Sequence, residues 1–249
     1  MFRRRAPGNT STGDGAPALE IQFLCHQDIE PFSLTIKRGE IFGLVGPVGS
    51  GTSTIIDLLS GRKPPVDGKV SIMGFDVRHF EHQARQLVGV MPEVDRNTLG
   101  ASGTLLEHMH FHARLIGMSK RLADERIPRV LAIVGLARYE HLQVSAFSWI
   151  FKRRLALARA LLPDPLLLLL DEPTRDLEAD ERAGLWKLLL SLQAQGKTIL
   201  LATSDWEEAS MLCDRVAHLS GGKLKAIWER ADQQDAANER FISRVAESN

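Results

Sequence analysis

The chain has 249 residues, with 31 basic and 31 acidic side chains, a formal net charge of +0, 44% hydrophobic residues and 25% charged ones. That balance excludes disorder of the whole chain, which needs less apolar content and more net charge, and it leaves no electrostatic footprint for nucleic acid. The only two cysteines, Cys25 and Cys213, exclude a disulfide scaffold and a zinc site built from paired cysteines.

Residues 1–18 read as a disordered tail of Gly, Ala, Pro, Ser and Thr. Arg3-Arg4-Arg5 leads into polar residues and no apolar region follows, so no secretion signal is expected and the cytosol is the expected compartment. From residue 19 on, β-type runs alternate with helical patterns. Residues 19–24, 32–36 and 41–45 predict strands, and a Gly-rich turn then opens a helix over 52–60. Strand-like runs follow at 70–73 and 87–91, and helical spacing at 104–116, 122–134 and 149–162. Residues 166–170 are five leucines in a row between Pro165 and Asp171, the pattern of a strand buried on both faces. A helix over 178–195, a strand over 198–202 and a helix over 205–213 come next. A hairpin of 216–219 with 223–227 closes the body, and a polar helix is expected from 231.

The most apolar stretch, 155–170, is interrupted by Arg159, Pro163, Asp164 and Pro165, short of the ~20 clean residues a membrane span needs. Of His108, His110 and His112, only the first and last share a helix face, so the run reads as helix surface rather than a metal site. Strands alternating with helices predict an α/β fold with a largely parallel sheet.

Gly46-Pro47-Val48-Gly49-Ser50-Gly51-Thr52-Ser53-Thr54 follows a strand and opens a helix, the context of a phosphate-binding loop. Its glycines let backbone N–H groups turn inward at a helix N-terminus. The pattern G-x-x-x-x-G-K-[ST] has lysine where this chain has Thr52. Ser53 keeps the hydroxyl that can bind magnesium. Asp171-Glu172-Pro173-Thr174 runs straight on from the leucines, at the carboxyl end of a strand, where open α/β sheets place ligands. Asp171 is the candidate magnesium ligand, and Glu172 the candidate base that polarises an attacking water.

Together with Ile41-Phe-Gly-Leu-Val-Gly-Pro47, Arg153-Arg-Leu-Ala-Leu-Ala-Arg-Ala-Leu161, Glu207-Glu-Ala209 and Leu212-Cys-Asp-Arg-Val216, these residues resemble the nucleotide-binding subunit of ATP-binding cassette (ABC) transporters. The resemblance spans residues 19–228, in the style of drug- and sodium-exporter ATPases. It implies a P-loop NTPase of the ABC-ATPase fold: a mostly parallel core sheet, an antiparallel β subdomain and an inserted α-helical subdomain at about 95–146. The cassette domain is expected over 19–249. The resemblance also implies Mg-ATP as cofactor and a homodimer or a heterodimer with another ABC subunit. It places the chain on the inner face of a membrane, beneath membrane-spanning subunits, without inserting itself.

Position by position, the resemblance implies a degenerate site. Thr52 replaces the lysine, and Val48 stands at an asparagine-like position. The literal Leu219-Ser-Gly-Gly-Lys223 suits a hairpin turn, so the family's signature falls instead on Phe147-Ser148-Trp149-Ile150-Phe151. There Ser148 survives and Trp149 and Ile150 replace glycines, where their side chains are expected to obstruct approach to a partner's nucleotide. Glu93 replaces the glutamine that links magnesium to the helical subdomain, and Ser204 replaces the γ-phosphate histidine. Arg175-Asp-Leu-Glu178 departs from small-Gly-Leu-Asp. Phe23 and His26 are the nearest candidates for the adenine-stacking aromatic.

The expected function is therefore a structural or regulatory cassette subunit of a transporter-type complex, with weak ATP binding and little hydrolysis. The alternative is a working ATPase that powers export by ABC-2-type membrane subunits. A soluble cassette acting on nucleic acid ranks last, because such proteins usually have tandem cassettes or large inserts.

Overall fold

A computed structural model of the chain describes residues 15–79, 86–93 and 103–230. The expected C-terminal helix, most of the expected tail and the first part of the expected helical insert lie outside these residues. Ala18, assigned to the tail on composition, is buried. Its N–H donates to the Ile36 carbonyl and its carbonyl accepts from Met73.

Two sheets carry the fold. Strands β1 (Leu19–His26), β2 (Ile29–Ile36), β4 (Asp67–Ile72) and β5 (Phe75–Asp76) form an antiparallel sheet in the order β2-β1-β4-β5. The second sheet runs β10-β9-β3-β8-β7-β6, with β3 at Ile41–Val45, β6 at Val88–Met91, β7 at Leu167–Asp171, β8 at Thr198–Thr203, β9 at Arg215–Ser220 and β10 at Lys223–Glu229. All its pairings are parallel except β9 with β10. Helices α1 (Thr52–Leu59), α2 (Leu105–Leu115), α3 (Lys120–Ile133), α4 (Trp149–Leu161), α5 (Ala179–Ala194) and α6 (Trp206–Leu212) complete it.

The leucine run explains the layering. Successive strand side chains face opposite ways, so Leu168 and Leu170 join one core with Ile199, Leu201 and the helices α2 to α5. Leu167 and Leu169 join the other, with Leu200, α1 and the antiparallel sheet. Every residue of β3, β7 and β8 is buried, and each buried leucine contributes about 1.5–3 kcal/mol relative to exposure. Leu166, expected within the strand, stands outside it. Helices α2 and α3 start on side-chain caps, a reciprocal Thr104–Glu107 pair and Ser119. These helices and α4 form the helical lobe beside the sheet.

Candidate functional site

The loop from β3 to α1 is shaped by close approaches that only glycine permits. The Gly46 N–H donates to the Thr203 carbonyl at 3.3 Å, and a Cβ at Gly46 would sit 2.1 Å from the Leu219 carbonyl oxygen. Gly51, with φ of 104°, caps α1, and a Cβ there would meet Ile29 at 2.3 Å. The Ser50 N–H closes the turn onto the Pro47 carbonyl at 2.9 Å. Val48 is exposed and Thr52 buried.

A cavity of about 430 Å³ opens over this loop, with Gly49, Gly51, Thr52, Ser53 and Thr54 on one side and Asp28, Gly221 and Gly222 on the other. Leu219-Ser-Gly-Gly-Lys223 is the β9–β10 turn, as the sequence predicts. Its Gly222 N–H donates to the Ser50 carbonyl at 2.9 Å and its carbonyl accepts from Glu30. The turn thus braces the phosphate loop of its own chain.

Neither Phe23 nor His26 lines the cavity. Phe23 sits at an irregularity of β1 with φ of 51° and is 74% exposed. The nearest residue from the β1–β2 turn is Asp28, which the sequence did not mark.

Ser53 Oγ donates to Asp171 Oδ1 at 2.9 Å, bringing the loop and the end of β7 together. Burial pushes the Asp171 carboxyl up to about 6, with the Ser53 bond opposing and the charges of Glu93, Glu172 and Asp57 reinforcing the rise. A hydroxyl beside a carboxylate is a hard oxygen pair that suits Mg²⁺, and a cation there would offset the desolvation that raises Asp171. A divalent cation held by Ser53 and Asp171 would supply positive charge to offset that of phosphate oxygens.

Glu172 lies next along the chain with φ of 48°, and its Oε1 accepts the backbone N–H of Ser204 at 2.9 Å. Ser204 therefore contributes its backbone, which orients the candidate base, while its side chain carries no imidazole. The loops bearing Glu172 and Ser204 are joined from beneath by Glu208. This buried carboxylate accepts from Thr174 Oγ1 at 2.6 Å and Trp186 Nε1 at 3.2 Å, and burial raises its pKa. Sequence reading placed Glu208 in a family string without a role, because an acid in a helix first turn reads as a solvated cap.

The expected signature position opens α4. Ser148 is the N-cap of α4 but makes no side-chain cap bond. Ile150 is buried. Trp149 is half-buried and folds onto its own chain, its Nε1 donating to the Arg175 carbonyl at 3.2 Å. Phe151 packs on Tyr139 and Phe147, at ring centroid distances of 4.7 and 5.6 Å.

Glu93 pairs with the Arg175 guanidinium. Among the histidines, His108 Nδ1 meets Arg159 Nη2 at 3.0 Å. His112 is half-buried, and desolvation with the Arg159 charge lowers its pKa to about 4.

Residues 29–175 match the family described as ABC transporter. Curated relatives include a Nod factor export ATP-binding protein I of Neorhizobium galegae, 38% identical over 226 residues, covering 90% of this chain and 65% of that protein. Its counterpart from Rhizobium meliloti is 41% identical over 195 residues, covering 78% and 58%. The chain thus spans about three-fifths of these relatives' length. Among solved structures, an ATP-binding subunit of an ABC transporter superposes with a TM-score of 0.75 at 28% identity, covering 88% of this chain and 92% of that one. An ABC transporter cassette in its ADP conformation gives 0.80 at 15% identity, covering 94% and 99%, and supports the fold alone.

Proposed function

This chain belongs to the ABC transporter family, and on that premise we propose that it is the nucleotide-binding subunit of an export-type complex whose own site holds Mg-ATP weakly and hydrolyses it poorly. The observation that carries the reading is the phosphate loop itself. It keeps its glycine-shaped backbone and the Ser53–Asp171 contact, but has Thr52 where a lysine would face the phosphates. A charge-assisted hydrogen bond is worth about 1.5–3 kcal/mol, and threonine supplies no charge.

The relatives' names, export ATP-binding proteins, favour the second reading, in which the chain is a working ATPase that powers export. The retained Glu172 is what that reading requires. In both readings residues 19–249 act as one cassette with its helical insert at about 95–146. The cassette pairs with itself or another cassette and docks from the cytoplasmic side on membrane-spanning subunits. Among the described residues no helix is long and apolar enough to cross a membrane, so membrane contact falls to those partners.

Titration of the purified chain with Mg-ATP tests the proposal. Saturable binding is expected, at least tenfold weaker than that of a lysine-bearing export relative measured beside it, since ~1.4 kcal/mol is tenfold. Ser53→Ala should weaken it further. Submicromolar binding contradicts the impaired reading, and no saturable binding at all contradicts a nucleotide site.

A further inference from the structure

Arg175, in the loop after β7, ties three segments together. Its backbone carbonyl accepts from Trp149 Nε1 at 3.2 Å and from Arg153 Nη2 at 3.1 Å, both at the start of α4. Its guanidinium pairs with Glu93, just beyond β6. Arg153 is 1% exposed and lies 4.6 Å over the Trp149 ring, and its Nε and Nη1 are buried without a hydrogen-bond partner. Met91 of β6 pairs in parallel beside Leu170 of β7, so Glu93 and Asp171 lie at the carboxyl ends of neighbouring strands. Glu93 is therefore an acid near the Ser53–Asp171 pair whose charge is already taken up by an arginine of the same chain.

An exposed ion pair is worth only about 0–1 kcal/mol, because two long side chains lose freedom to make it. Here one end is prepared in advance. Trp149 and Arg153 fix the Arg175 backbone, so its side chain starts close to Glu93 and loses less entropy on pairing.

We propose that Arg175, seated by Trp149 and Arg153, is an autoinhibitory positioning residue that occupies the Glu93 carboxylate and withholds it from a divalent cation held by Ser53 and Asp171. The inference rests on the reading of that pair as the metal site. A cation that is to use Glu93 must displace Arg175 and loosen the start of α4. Trp149 and Arg153 oppose this, so the helical lobe stays tied to the loop after β7.

The test is Mn²⁺ binding followed by electron paramagnetic resonance at a fixed ADP concentration, with thermal melts to confirm folding. Arg175→Gln frees Glu93 and is expected to tighten Mn²⁺ binding about fivefold, the equivalent of roughly 1 kcal/mol. Arg175→Lys, which keeps the charge, should stay within about twofold of wild type on the same scale. Trp149→Phe removes only the N–H that seats the loop and should give a smaller gain in the same direction. Adding Glu93→Gln to Arg175→Gln should erase the gain. A purely structural role for Arg175 predicts weaker or unchanged binding. The proposal is overturned if both Arg175→Gln and Trp149→Phe bind Mn²⁺ no better than wild type while Asp171→Asn still weakens binding. If Asp171→Asn leaves binding unchanged, the metal-site reading fails. If no variant binds Mn²⁺, both fail.

Discussion

Replacing Thr52 by lysine is expected to raise Mg-ATP affinity by tenfold or more. Thr52 opens α1 and lines the cavity over the phosphate loop, so a lysine side chain has about 430 Å³ of open space to extend into. Its ammonium would supply charge-assisted bonds to the β- and γ-phosphates of about 1.5–3 kcal/mol each, less the entropy of fixing a long side chain. The backbone donors it joins are already set by Gly46 and Gly51. Calorimetric titration of both proteins reads the change. Equal affinities would mean that another group already does the lysine's work, or that the loop does not receive the phosphates.

Glu208→Ala is expected to cost about 2–6 kcal/mol, because it leaves two buried donors without their acceptor. The Thr174 hydroxyl and the Trp186 N–H lose their acceptor in the interior, and each unpaired buried donor costs about 1–3 kcal/mol. Domains of ordinary stability have only about 5–15 kcal/mol in total. Glu208→Gln keeps an acceptor in place and should cost about 1 kcal/mol. Urea denaturation separates the two. If alanine and glutamine cost the same, the carboxylate is not what joins the loops carrying Glu172 and Ser204.

Much of this architecture was legible in the residues. The leucines ahead of Asp171 read as a doubly covered strand because nothing but apolar side chains fits between two cores. The Gly-rich turn into α1 read as a phosphate loop from its place between a strand and a helix; a Cβ at Gly46 would meet backbone at 2.1 Å, and Gly49 and Gly51 take φ of 84° and 104°. Strand β5 went unread. It is two residues long and held only by pairing to β4, which leaves no periodicity. Asp28 went unread because its place at the cavity comes from the β9–β10 turn folding against it, a contact between residues far apart in sequence. The bond from Trp149 to the Arg175 carbonyl went unread for the same reason. Arg175 and Glu93 were each noticed as departures, but their pairing spans 82 residues and has no local signal.

Phosphate release from ATP by the purified chain, beside a Glu172→Gln control, tests the central claim most directly. Glu172 is held by the Ser204 N–H, and the proposed reading has Thr52 and Ser204 where a lysine and a histidine would meet the γ-phosphate. Losing one preorganised donor to developing charge typically costs 10²–10³ in rate, about 3–4 kcal/mol. The account predicts release by wild type at the level of the Glu172→Gln control. Release about a hundredfold or more above that control would contradict it and establish the chain as a working ATPase.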